Sequence, residues 1–171
     1  MSTDLSQYGI TIRENYALFW GGVFSNWYKS KFVVKDIEFN CVEQFMMACK
    51  ALQFNDHTSL ELIMKTNDPK EQKAYGRNVK GYDDELWERL RYPIVREGVF
   101  AKFDQNPHLQ SVLFETDHLI IVETSPYDKI FGIGMGVDNK YITNPGMWEG
   151  QNLLGLILMD VRATLLNMQD D

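Results

Sequence analysis

At 171 residues the chain is the size of one domain, and 44% hydrophobic residues are ample for a single core. A formal charge of −7 and a pI near 5.0 argue against general binding to nucleic acid or anionic membranes, because nonspecific phosphate affinity needs accumulated Lys and Arg. The opening Met1-Ser2-Thr3-Asp4-Leu5-Ser6 has no basic region followed by an apolar core, and no apolar run is long enough to span a bilayer. A soluble, cytoplasmic protein without membrane contact is the expectation.

Ala17-Leu18-Phe19-Trp20-Gly21-Gly22 and Phe24-Ser25-Asn26-Trp27-Tyr28 read as short strands or a structured loop. Phe32-Val33-Val34 and Ile37-Glu38-Phe39 flank Lys35-Asp36, a tight-hairpin pattern without the favoured Gly. A helix follows from about Cys41 to about Phe54, and a short amphipathic helix covers Thr58 to Lys65. Asn67-Asp68-Pro69 supplies a cap and a first-turn proline for another short helix ending near Gly76. Asp83 or Asp84 caps a longer helical region through Trp87, Leu90, Ile94, Val95, Val99 and Phe103, which Pro93 either kinks or divides.

Pro107 begins a short helix, and Leu119-Ile120-Ile121-Val122 is the clearest buried strand. From Glu123 to Gly150 the chain is rich in Gly, Pro, Asp and Asn, the composition of a long functional loop. Asn152 is the expected cap of a final helix that is apolar over most of its circumference and therefore packed centrally. Without repeats, low-complexity tracts or a linker-like composition shift, the expected architecture is one α+β domain, residues 1–171, dominated by helices with a few short strands.

The helix Val42-Glu43-Gln44-Phe45-Met46-Met47-Ala48-Cys49-Lys50 carries the strongest chemical signal. Glu43 and Lys50 lie about two turns apart on one face of a mostly apolar helix, where burial would shift each other's proton affinity. Cys41 and Cys49 are too far apart along this helix for a disulfide, so both are expected to be reduced. His57, His108 and His118 form no metal-ligand spacing with either cysteine, and neither metal nor cofactor is expected.

Gly132-Ile133-Gly134-Met135-Gly136 lacks the third spaced glycine and the following helix of a dinucleotide loop. There is no phosphate-binding loop, no nucleophile elbow and no His-Glu-x-x-His segment. The remaining inventory of carboxylates, one helix lysine and many aromatics suits cleavage of a glycosidic bond, whose oxocarbenium-like transition state needs an anion, an activated water and a proton for the leaving group. On composition alone, a generic ligand-binding domain fits equally well.

Phe24-Ser25-Asn26, the helix of Glu43 and Lys50, Gly76-Arg77, Trp87, Ala101-Lys102-Phe103, Val122-Glu123-Thr124-Ser125-Pro126-Tyr127-Asp128, Phe131-Gly132-Ile133-Gly134, and Gly150-Gln151-Asn152-Leu153-Leu154-Gly155 through Leu158-Met159-Asp160-Val161-Arg162 occur in the order found in the NADAR family. The chain resembles that family from about Ala17 to Leu165. The family includes YbiA-like N-glycosidases acting on riboflavin-biosynthesis intermediates, and relatives that remove ADP-ribose from guanine in nucleic acid. The resemblance implies hydrolysis of an N-glycosidic bond in a ribosylaminopyrimidine phosphate, giving ribose 5-phosphate and the base. Alternatives are an ADP-ribosyl hydrolase acting on nucleic acid and a noncatalytic sensor of ADP-ribose or a nucleotide.

The resemblance implies catalytic roles for three residues. Glu43 would activate water or stabilise positive charge at the anomeric carbon. Lys50 would hold a phosphate, protonate the leaving group or form a Schiff base with ring-opened ribose, against an ion pair with Glu43 or a surface position. Asp128 would orient ribose or water, against a role in turn capping. Substrate binding would fall to Phe19, Trp20, Ser25, Asn26, Arg77, Trp87, Phe131 and Gly132. Trp87 would stack on the base or pack in the core, Arg77 would clamp phosphate or tie down a helix end, and the early aromatics would line a wall or fill the core. The family's late Trp-Gly pair is Phe131-Gly132 here, which removes an indole donor, and the segment from Met135 to Trp148 is longer than in compact relatives. Trp148 is the candidate replacement donor.

Overall fold

In a computed structural model, residues 4–169 are described, so Met1-Ser2-Thr3 of the amino-terminal segment read for a targeting signal lie outside them. The fold is α+β and helix-dominated, with six α-helices and five short strands among the described residues. These elements form two compact units, one drawn from Met1–Ser25 and Pro107–Asp171 and the other from Asn26–Asn106. No helix among the described residues is long and apolar enough to cross a membrane.

The unit of Asn26–Asn106 is built around α1 (Val42–Gln53), which packs against α2 (His57–Lys65), α3 (Pro69–Arg77) and α4 (Asp84–Asp104). Aspartates cap three of these helices: Asp56, Asp68 and Asp83 each accept a hydrogen bond from a backbone N–H in the first turn. Pro93 sits inside α4 without dividing it. Close packing of α1 and α4 needs Gly98, since a Cβ there would lie 2.6 Å from Phe45 Cδ1. A buried amide network ties α1 to the chain entering α3. Gln44 Nε2 donates to Ile63 O, Gln72 Nε2 to Asn40 Oδ1 and Thr66 O, and the Cys41 thiol to Gln72 Oε1. Cys41 and Cys49 are both free thiols.

The hairpin of β3 (Phe32–Val34) and β4 (Ile37–Phe39) turns through Lys35 and Asp36, whose φ of 50° and 63° supply the left-handed pair that a two-residue turn requires without glycine. Phe32 and Phe39 stack at 5.9 Å, and both meet Phe45 of α1 edge-on. Gln105, which follows α4, closes the edge of β3 by bonding both the N–H and the C=O of Val33.

The other unit holds a sheet ordered β1-β2-β5, with β1 (Ile10–Arg13) antiparallel to β2 (Tyr16–Phe19) and β5 (Ile120–Glu123) parallel to it. Helix α5 (Pro107–Glu115) precedes β5, and α6 (Leu153–Gln169) packs on it. The long segment between β5 and α6 has little regular structure, as its composition suggests. It is nevertheless core: Ile133, Met135 and Ile142 are buried with Tyr16, Leu18 and Val122.

Asn152 does not cap α6 with its side chain. Its Oδ1 accepts from Glu123 N and its Nδ2 donates to Ile121 O, so the carboxamide completes the edge of β5 as a neighbouring strand would. The first N–H groups of α6 are satisfied instead by loop carbonyls, Leu153 by Ile130 and Leu154 by Phe131. Arg162 anchors the same helix through Thr116 Oγ1 and the Leu119 carbonyl.

Two stability measurements follow from this packing. A Cβ at Gly155 would lie 2.2 Å from Ile121 O, a backbone atom that cannot step aside. Gly155→Ala is therefore expected to cost about 1–3 kcal/mol in urea unfolding. Lys102 on α4 is only 1% exposed, and burial lowers its pKa from 10.5 to about 7. Between those values the unfolded chain binds more protons than the folded one, so the contribution of Lys102 to stability rises with pH across that window. Unfolding followed from pH 7 to 10 is expected to show a shallower rise in Lys102→Met than in the wild type.

Candidate functional site

Helix α1 brings Glu43 and Lys50 onto one buried face. Glu43 is 4% exposed and lies in the first turn, where the helix dipole favours a carboxylate, and its backbone N–H donates to Asn26 O at 2.9 Å. Lys50 is 9% exposed, in the last turn of the same helix. Its ammonium sits over two rings, 4.3 Å from the Tyr82 centroid and 5.7 Å from that of Trp87.

Burial lowers the proton affinity of Lys50; the carboxylates of Glu43 and Asp84 oppose that shift, and the Arg77 guanidinium adds to it. A lysine so placed gives up its proton more readily than a solvated one, which suits proton donation or service as an amine. Trp87 is buried in the first turns of α4, so its ring combines core packing with contact to the lysine. Arg77 is exposed at the end of α3. Asn26 is buried, and its Oδ1 has no hydrogen-bond partner among the described residues. Glu43, Lys50, Asn26, Arg77 and Trp87 thus form one group within a single unit.

The remaining candidates belong to the other unit. Phe19 is buried, edge-on to Phe24 at 5.6 Å, and its carbonyl accepts from Thr124 N and Oγ1. Trp20 is 60% exposed and lies 5.9 Å from the ring of Tyr127, itself 85% exposed. Ser25 is half-buried at the end of a short 3-10 turn. Asp128 Oδ1 accepts from the backbone N–H groups of Ile130 and Phe131, both at 2.8 Å, while its own N–H donates to Ser125 Oγ. That is the turn-shaping role of a loop aspartate. Gly132 is pinned beneath this turn, where a Cβ would lie 2.8 Å from Asp128 O. Phe131 is half-buried beside it. Trp148 does not offer the missing indole donor, because its Nε1 donates to Ile142 O at 2.9 Å and its ring meets Tyr16 edge-on.

Two residues of interest were given no role by the sequence, although Lys102 falls within the Ala101-Lys102-Phe103 motif. Tyr82 precedes the cap of α4 by one position and reads as a loop aromatic, and Lys102 lies inside a helix-core pattern that marks it only as an oddity. No cluster of three or more His, Cys, Asp or Glu suited to a metal occurs among the described residues.

The NADAR domain model matches residues 18–166. An N-glycosidase of Acanthamoeba polyphaga mimivirus is 38% identical over 145 residues, covering 82% of this chain and 85% of the relative. The chloroplastic riboflavin biosynthesis protein PYRR of Arabidopsis thaliana is 31% identical over 111 residues, 63% of this chain but 17% of that much longer protein. The solution NMR structure of the Escherichia coli protein YbiA shares the fold, with a TM-score of 0.77 at 24% identity over 95% of this chain and 92% of that one. The chain belongs to the NADAR domain family.

Proposed function

We propose that the protein is an N-glycosidase hydrolysing ribosylaminopyrimidine phosphates, intermediates of riboflavin biosynthesis, to ribose 5-phosphate and the free base. The observation that carries this reading is the buried pair of ionisable side chains on α1, Glu43 and Lys50, with the lysine seated over Tyr82 and Trp87. The relatives named N-glycosidases support the bond class, and the match to a riboflavin biosynthesis protein supports the substrate class.

In the proposed reaction the C1–N bond of the sugar breaks with its electron pair leaving on the base nitrogen, which takes up a proton. Water adds its oxygen to the anomeric carbon and loses a proton. Glu43 stabilises the positive charge developing on the sugar and accepts the proton of the water. Lys50, its proton affinity lowered by burial, supplies the proton to the departing nitrogen. Asn26 Oδ1 is a buried acceptor suited to a ribose hydroxyl. Arg77, exposed at a helix end, offers the fork geometry that a phosphate takes. Asp128 shapes the loop that carries Phe131 and Gly132.

The test incubates the protein with a ribosylaminopyrimidine phosphate and, separately, with guanine-linked ADP-ribose in nucleic acid, following base release. Turnover is expected on the first, with a loss of about 100-fold or more in Glu43→Ala and in Lys50→Ala. Equal turnover in the wild type and Glu43→Ala would remove Glu43 from the mechanism. Turnover on ADP-ribosylated nucleic acid alone would transfer the same residues to the alternative substrate, and binding without turnover on either would leave a sensor. Borohydride reduction during turnover separates the two uses of Lys50: proton donation predicts no covalent adduct, whereas a Schiff base would be trapped on that lysine.

A further inference from the structure

Tyr82 is absent from the reaction just described, yet it makes the shortest ring contact with Lys50. Its ring centroid lies 4.3 Å from the ammonium, it meets Phe54 in an edge-to-face pair at 5.4 Å, and its hydroxyl donates to Asp84 Oδ1 at 2.7 Å. The ring is thereby held at three points: by Phe54 following α1, by Asp84 opening α4 and by the lysine itself. Tyr82 is nonetheless 42% exposed, whereas Trp87, whose centroid is 5.7 Å from the ammonium, is 6% exposed. Tyr82 is therefore the outer wall of the lysine's seat and Trp87 the inner one.

We infer that Tyr82 is the positioning residue of Lys50: its ring fixes the ammonium on the α1 face shared with Glu43 and keeps water from it. This inference rests on the proposed role of Lys50, and it specifies what keeps that amine able to release its proton. Two effects of the ring oppose each other. An aromatic face favours the charged ammonium, and the exclusion of water disfavours it. Burial is the largest influence on Lys50, ahead of Glu43, Asp84 and Arg77, so removal of the ring is expected to act mainly by admitting water.

The charged groups facing Lys50 are Glu43 on its own helix, Arg77 on α3 and Asp84 on α4. Tyr82→Phe keeps the ring and removes only the bond to Asp84, whereas Tyr82→Ala removes the wall as well. The loss of that bond is common to both variants, so comparing them isolates the ring.

The experiment titrates the lysine side chains of the whole protein by NMR after reductive methylation with 13C-formaldehyde, the Lys50 signal being assigned by its loss in Lys50→Arg. Turnover is measured on the same variants, and thermal unfolding confirms that they are folded, with Tyr82→Leu replacing the alanine variant if it fails to fold. Lys50 is expected to titrate below the exposed lysines in the wild type and Tyr82→Phe. In Tyr82→Ala it should move up toward them by about half a pH unit or more, with kcat lowered about tenfold and Tyr82→Phe within about twofold of the wild type. An unchanged Lys50 midpoint in the folded alanine variant would overturn the inference, as would an equal loss in both variants. If the wild type turned over no N-glycoside, the titration would still decide the role of Tyr82, and only the proposed reaction would fall.

Discussion

The structure of the Asn26–Asn106 unit turns on one constraint: a carboxylate and an amine are both buried on the central helix α1, where apolar side chains would cost far less. Moving either charge out of water is expensive unless something replaces the lost solvation. For Lys50 the replacement is two aromatic faces with Glu43 and Asp84 nearby. For Glu43 it includes a place in the first turn of α1. The rest of the unit serves that helix, with α2, α3 and α4 around it, the Phe32-Phe39-Phe45 cluster at one end and the Gln44-Gln72 amide network holding its start.

A buried pair of ionisable side chains with a shifted proton affinity is what a reacting site looks like before substrate arrives. The same unit holds a second buried lysine, Lys102, pushed down to about 7, but it lies deep in α4 at 1% exposure and its rings are Tyr28 and Phe103. What separates the two lysines is their own exposure, 9% for Lys50 against 1% for Lys102, since each has a neighbouring tyrosine that meets solvent. In the other unit, side-chain hydrogen bonds shape the irregular backbone. Ser125 and Asp128 knit one turn, and Asn152 stands in for a missing strand.

Much of this was legible in the sequence because local chemistry decided it. Asp68-Pro69 and Pro107 mark helix starts, and the apolar runs around Lys35-Asp36 mark the hairpin, since capping and turn geometry depend on neighbours in the chain. The Glu43-Lys50 spacing followed from helix periodicity. Strand β1 was not legible, because Ile10-Thr11-Ile12-Arg13 is four residues long and turns only Ile10 inward. The contacts of Lys50 with Tyr82, of Asn152 with β5 and of Trp148 with Ile142 were equally hidden. Each depends on which distant backbone or ring the fold presents, and an Asn before a helix looks like a cap until a strand edge claims it.

The most direct test of the central claim, that the Glu43-Lys50 face of α1 is where the sugar is held, is an NMR chemical-shift titration of the protein with ribose 5-phosphate. The account predicts saturable shifts at the amides of Glu43 and Lys50 and along Tyr82 to Trp87. Saturable shifts confined to other elements, with α1 and the start of α4 unmoved, would contradict it.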